Sequence, residues 1–202
     1  MNTTTLDPLA TESATKLCPS FGAALEVLGV KAEAKIKKEA SEDAARLLKT
    51  TYRLRAPVDP IAIAQELGIQ VLEGELDRDR LGGLVIKPGE EPKIYMNQLD
   101  LLIRRRFTCA LELGYYVRHS AEIREYGRVE RRSDRSKSEQ DPESVYAEEF
   151  AACLLLPARD VKVMVELDID ELEMALRFRV SRELIQRRLN DLGLRTAALS
   201  GS

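Results

Sequence analysis

Residues 104–119 run RRRFTCALELGYYVRH. No proline interrupts the surrounding stretch 101–120, and apolar positions cover more than half of a helical circumference there, so a central helix is predicted. On such a helix positions 111 and 115 lie one turn apart on one face. At that spacing two imidazoles can share a metal ion, with the residue at 112 as general base. Leu111 and Tyr115 are one such pair, around Glu112. Leucine offers no lone pair, and a phenol with an ordinary pKa of about 10 is a poor zinc ligand at neutral pH. The chain has a single histidine, His119, so no site that needs two histidines can come from it.

Working outward, Asp59-Pro60 is placed as N-cap and first residue of a short helix that carries Ile61, Ala64 and Leu67 and stops at Gly68. An earlier helix over 32–52 buries Ile36, Ala40, Ala44, Leu47 and Leu48 at spacings of three and four. Three short strands, 69–72, 81–86 and 93–96, are predicted between Gly68 and the central helix, with Pro88-Gly89 as a turn. Beyond the central helix, 121–141 is polar and rich in both charges, which predicts a long surface loop. Pro142 then opens a helix that ends before Pro157. Short helices at about 158–165, 170–178 and 181–192 follow, with Asp170 and Ser181 as N-caps. The expected organisation is a flexible leader (1–30), one main domain (31–165), a C-terminal helical module (166–195) and a tail (196–202).

With 202 residues, 44% hydrophobic and 32% charged, the chain can bury a core and is neither collagen-like nor wholly disordered. The formal net charge of −3 gives no general affinity for nucleic acid, although a local patch remains able to supply it. No apolar run approaches the roughly 20 residues of a membrane span, and no secretory leader is visible, so a cytoplasmic location and no membrane partner are expected. Cys109 and Cys153 sit in apolar helical contexts and are expected to be reduced core thiols.

The stretch 104–119 resembles the zinc helix of the ImmA/IrrE metallopeptidase family, roughly RxxFTxAHELGHxxxH. Arg104, Phe107, Thr108, Ala110, Glu112, Leu113, Gly114 and His119 match it. Residues 143–157, ESVYAEEFAACLLLP, resemble the family's ExEANxFAxxLLMP segment. Residues 57–69, the strands near Gly83-Leu84 and Ile94–Asn97, and residues 172–194 resemble further family segments in the same order. The resemblance implies an α+β zincin-like fold: a mostly helical domain with a small three-stranded sheet and a C-terminal helix-turn-helix-like module. It also implies zinc as cofactor and, for active members, helix-turn-helix repressors as targets.

All three positions mapped onto zinc ligands differ in this chain: Leu111, Tyr115 and Tyr146, the last in place of the family's carboxylate. The expectation is a protein without a cofactor, with Glu112 as a vestigial general base, acting as a regulator on a repressor-like or other regulatory protein. Arg128, Arg131 and Arg132 in the polar segment are the expected partner-binding residues. Two other functions stay open. One is a peptidase with an unusual metal site built from Glu112, Glu143 and His119. The other is DNA binding through 172–189, with Arg182, Arg187 and Arg188 as phosphate or base contacts and Arg179 at the tight-turn position.

Overall fold

The computed structural model describes residues 19–51, 57–76, 80–87, 89–119, 129–134 and 141–194, with the side chains of 19–28, 51, 80, 81 and 129–134 outside the description. Among these residues the order is α1 (Pro19–Thr51), α2 (Pro60–Glu66), β1 (Gln70–Gly74), β2 (Arg80–Ile86), β3 (Lys93–Asn97), α3 (Leu102–Arg118), β4 (Val129–Asp134), α4 (Pro142–Leu155), α5 (Ala158–Glu166), α6 (Glu171–Phe178) and α7 (Arg182–Asp191). The architecture is α+β and mostly helical, as the sequence predicts.

The local signals act as expected. The Asp59 carboxylate accepts from the amides of Ile61 and Ala62, and Pro60 fills the first helical position where no donor is needed. Asp170 caps α6 through Glu173 N, and Ser181 caps α7 through Leu184 N. Two boundaries differ from expectation. Helix α1 begins at Pro19, so residues 19–30 of the expected leader are helical, while 1–18 lie outside the described residues. Residues 129–134, expected in a loop, form β4.

The three expected strands are present. β1 pairs parallel with β3, and β3 pairs antiparallel with β2, with Leu84 opposite Ile94. β4 then adds antiparallel to the free side of β2, giving the order β1-β3-β2-β4. Val129-Glu130-Arg131-Arg132-Ser133-Asp134 shows no alternation of apolar residues because an edge strand is held by its backbone ladder and tolerates charge. That is why the hydrophobic pattern does not reveal it.

α3 is the hub. It packs on α4, on α2 and on the sheet at β2 and β3, while α1 packs along α4. Residues Thr108–Tyr115 are buried without a break. Two glycines set the distances. A Cβ on Gly82 would stand 2.5 Å from Thr108 Cγ2 and from the Tyr95 carbonyl, so only glycine lets β2 lie this close to α3. A Cβ on Gly114 would press at 3.1 Å on Ala147 Cα and on the Phe150 ring, so α3 and α4 meet nearly backbone to backbone.

Candidate functional site

The face where α3 meets α4 holds every position mapped to the metal. Glu112 is fully buried beneath β2, its Oε1 within 3.6 Å of where a Gly82 Cβ would stand. Leu111, Tyr115 and Tyr146 are also buried and belong to the hydrophobic core. Close packing makes an empty side-chain volume costly, so large residues at vacated positions are what a metal-free version of this face requires.

The two tyrosines have separate partners. The Tyr115 hydroxyl donates to Ser144 Oγ at 3.3 Å, and Ser144 Oγ donates to Asp141 Oδ2 at 3.1 Å. Asp141 is the N-cap of α4, so this chain of hydrogen bonds ties α3 to the start of α4. Tyr146 points elsewhere. Its hydroxyl donates to Asp43 Oδ2 on α1 at 2.6 Å. The Arg118 guanidinium lies 4.7 Å from its ring centroid and pairs with Glu39 on α1 at 2.9 Å. Burial, then the Asp43 carboxylate, pushes the Tyr146 phenol well above its ordinary value. This phenol stays protonated, a donor to α1.

The mapping of the third position to Tyr146 is therefore at odds with the side chain that faces Tyr115, which is Ser144. Ser144 falls on the first glutamate of the ExE pattern in the resembled segment, and that offset was the signal available in the sequence. Asp43 and Arg118 carry no motif, so pattern alone could not bring them to the site.

A zinc ion does not fit this donor set. Leu111 supplies no donor, the Tyr115 hydroxyl is committed to Ser144, and the Tyr146 hydroxyl is committed to Asp43. Among the described residues no three His, Cys, Asp or Glu side chains gather as metal ligands. The unusual metal site is not assembled either. His119 Nε2 meets Glu143 Oε1 at 3.5 Å, but Glu112 lies seven residues earlier on α3, about 10 Å of helical rise away, beneath the sheet.

The thiols behave as core atoms. Burial pushes Cys109 up to about 12 and Cys153 up to about 11, so neither is a nucleophile at neutral pH. Of the expected partner-binding residues, Arg128 lies outside the described residues. Arg131 and Arg132 sit in β4, opposite Leu84 and Gly83 of β2.

The arginine run of α3 divides by role. Arg106 is buried and donates to the Val58 carbonyl at 2.5 Å and the Arg179 carbonyl at 3.4 Å. Arg105 pairs with Glu73 on β1. Arg104 is exposed, 3.9 Å from Asp100.

The α6–α7 module is also bound inward. Arg179 takes the left-handed conformation at the turn, φ +55°, the geometry the helix-turn-helix pattern wants from glycine. Arg182 pairs with Glu171 at 3.0 Å, and Arg187 with Glu148 of α4 at 3.1 Å. Arg188 is buried, donates to the Leu156 carbonyl at 3.1 Å and sits 3.5 Å from Glu149. The three arginines expected to touch DNA hold the module together and onto α4.

Comparison with known proteins fits this description. Residues 64–190 match the family described as the IrrE N-terminal-like domain, Peptidase_M78. A search of curated proteins found no match. Among solved structures, one described as a Mycobacterium tuberculosis transcriptional regulator is similar at 18% identity and a TM-score of 0.49, covering 77% of this chain and 47% of that one. The chain thus spans about half the length of that regulator. No helix among the described residues is long and apolar enough to cross a membrane. Matched over residues 64–190, more than half of its length, the chain belongs to the family of IrrE N-terminal-like domains.

Proposed function

We propose that this chain is a catalytically silent member of its family and acts as a regulator by binding a repressor-like or other regulatory protein. The observation that carries the proposal is Leu111, which offers no donor, one turn from a Tyr115 whose hydroxyl is hydrogen-bonded to Ser144, at the two helix-face positions where metal ligands would stand. Without a metal to acidify water, Glu112 has little hydrolytic power of its own, and its burial under β2 withholds it from an extended substrate. The family's active members, by the resemblance, act on helix-turn-helix repressors. A chain that keeps the fold and lacks the metal is suited to holding such a partner without cutting it.

Elemental analysis after dialysis tests the silent site, and no stoichiometric zinc is expected. About one zinc per chain retained against a weak chelator overturns it. For the partner, a pull-down from the native host is expected to return a regulatory protein. Charge reversal of Arg128, Arg131 and Arg132 together slows its association, and added salt does the same. Binding indifferent to both would move the contact surface away from the 121–141 segment.

A further inference from the structure

At the start of α3 the apolar residues face out instead of in. Leu99, Leu101 and Leu102 are 70%, 73% and 54% exposed. Single exposed leucines are ordinary, but three within four residues make a patch that marks a contact site. Beside them lies a groove of about 390 Å³ between α3 and the start of α7. Leu101, Ile103 and Phe107 form one wall, and Val180 and Leu184 form the other. Two charges stand on opposite walls: Arg104 on α3 and Glu183 on α7, both exposed.

We propose that this face is the site of self-association, with a second copy of the chain as its occupant. An isologous interface needs projection and cavity on the same patch, so that each copy fills the other. Leu99 and Leu102 are the projection, and the adjacent groove, with Leu101 on its rim, is the cavity. The charges fit the same operation. A two-fold axis through the groove brings Arg104 of each copy to Glu183 of the other, giving two ion pairs of opposite sense across one apolar centre. Arg104 is available for this, since its neighbour Asp100 is a loose 3.9 Å away. Arg187, also on the groove, is already held by Glu148 and does not compete for Glu183. The groove is lined by none of Leu111, Tyr115 and Tyr146, the positions mapped to the metal.

Sedimentation velocity of the full chain over a range of concentrations tests the proposal, with circular dichroism as the control for folding. A monomer–dimer equilibrium is expected. Leu101→Asp is expected to weaken it about a hundredfold, the loss typical of a central anchor. Leu101 is mostly exposed, so this substitution does not disturb the core. Arg104→Glu is expected to weaken the dimer about tenfold by setting like charges against each other twice. Adding Glu183→Arg to Arg104→Glu is expected to restore it. A chain that stays monomeric at every concentration overturns the proposal. So does a dimer indifferent to Leu101→Asp, or a charge swap that fails to rescue.

Discussion

Two regions of this molecule carry a recognisable pattern and have treated it in opposite ways. On the α3–α4 face the framework of the family pattern is present and the side chains mapped to its metal differ. Glu112, Gly114 and the close approach at Ala147 remain, while the positions that would bind metal hold Leu111 and Tyr115. In the α6–α7 module the charged residues of the pattern are present and each has an acidic or carbonyl partner within the fold, with Arg188 alone buried. Arg182, Arg187 and Arg188 are all present, but Glu171, Glu148, Glu149 and the Leu156 carbonyl bind them. A residue type at a motif position therefore says little until its partner is known: along α3 the side chains themselves depart from the pattern, while in the α6–α7 module the pattern is present and its partners lie within the fold.

The sharpest way to break this contrast is to give the first region its chemistry back. Leu111→His with Tyr115→His and Ser144→Glu is expected to change zinc content from none to about one per chain. The same pair combined with Tyr146→Glu is expected to bind far less, because that side chain points at Asp43. Inductively coupled plasma analysis reads both, and the opposite ranking would return the third position to Tyr146.

Next in size is the second region. Arg188→Ala leaves the buried Leu156 carbonyl without its donor and Glu149 with only Arg187, 3.7 Å away, and should cost about 3 kcal/mol in urea unfolding. If Arg188→Ala were neutral to stability yet lowered retention on DNA, the inward-facing account of this module would be wrong.

Smaller again is Tyr146→Phe, which strips one hydrogen bond from Asp43 and should cost about 1–3 kcal/mol, measured the same way. Smallest is the expected absence of thiol chemistry. With Cys109 raised to about 12 and Cys153 to about 11, both are protonated at pH 8 and should resist iodoacetamide until the chain is unfolded. Because the raised value favours the neutral form, this protection holds at every pH below those values. Peptide mapping that found either residue labelled in the folded chain would contradict the buried α3–α4 packing.

The fold was largely legible because its signals are local. Asp59-Pro60, Asp170 and Ser181 announce helix starts within a few residues, and the period of Ala40, Ala44, Leu47 and Leu48 reports the buried face of α1. The site was legible only along α3. Its other half depends on contacts across the chain, such as Tyr146 with Asp43, 103 residues away. Ser144 and Tyr146 stand two residues apart on α4, a turn of roughly 200° about the helix, so a choice between the two glutamates of the ExE pattern points the side chain to opposite sides. β4 is not legible in the sequence because an edge strand gains from its backbone ladder and leaves no hydrophobic trace.

The buried guanidinium of Arg106 has a consequence for how the chain is made. It joins Val58, 48 residues earlier, to Arg179, 73 residues later. On a ribosome adding roughly 5–20 residues per second, the second acceptor is synthesised about 4–15 s after the arginine itself. Until then α3 has its partner on the N-terminal side and waits for the one on the C-terminal side. A nascent chain stalled before residue 179 would carry α3 with a cation one of whose acceptors has not yet been synthesised, a point at which a chaperone or protease would find the chain incompletely closed.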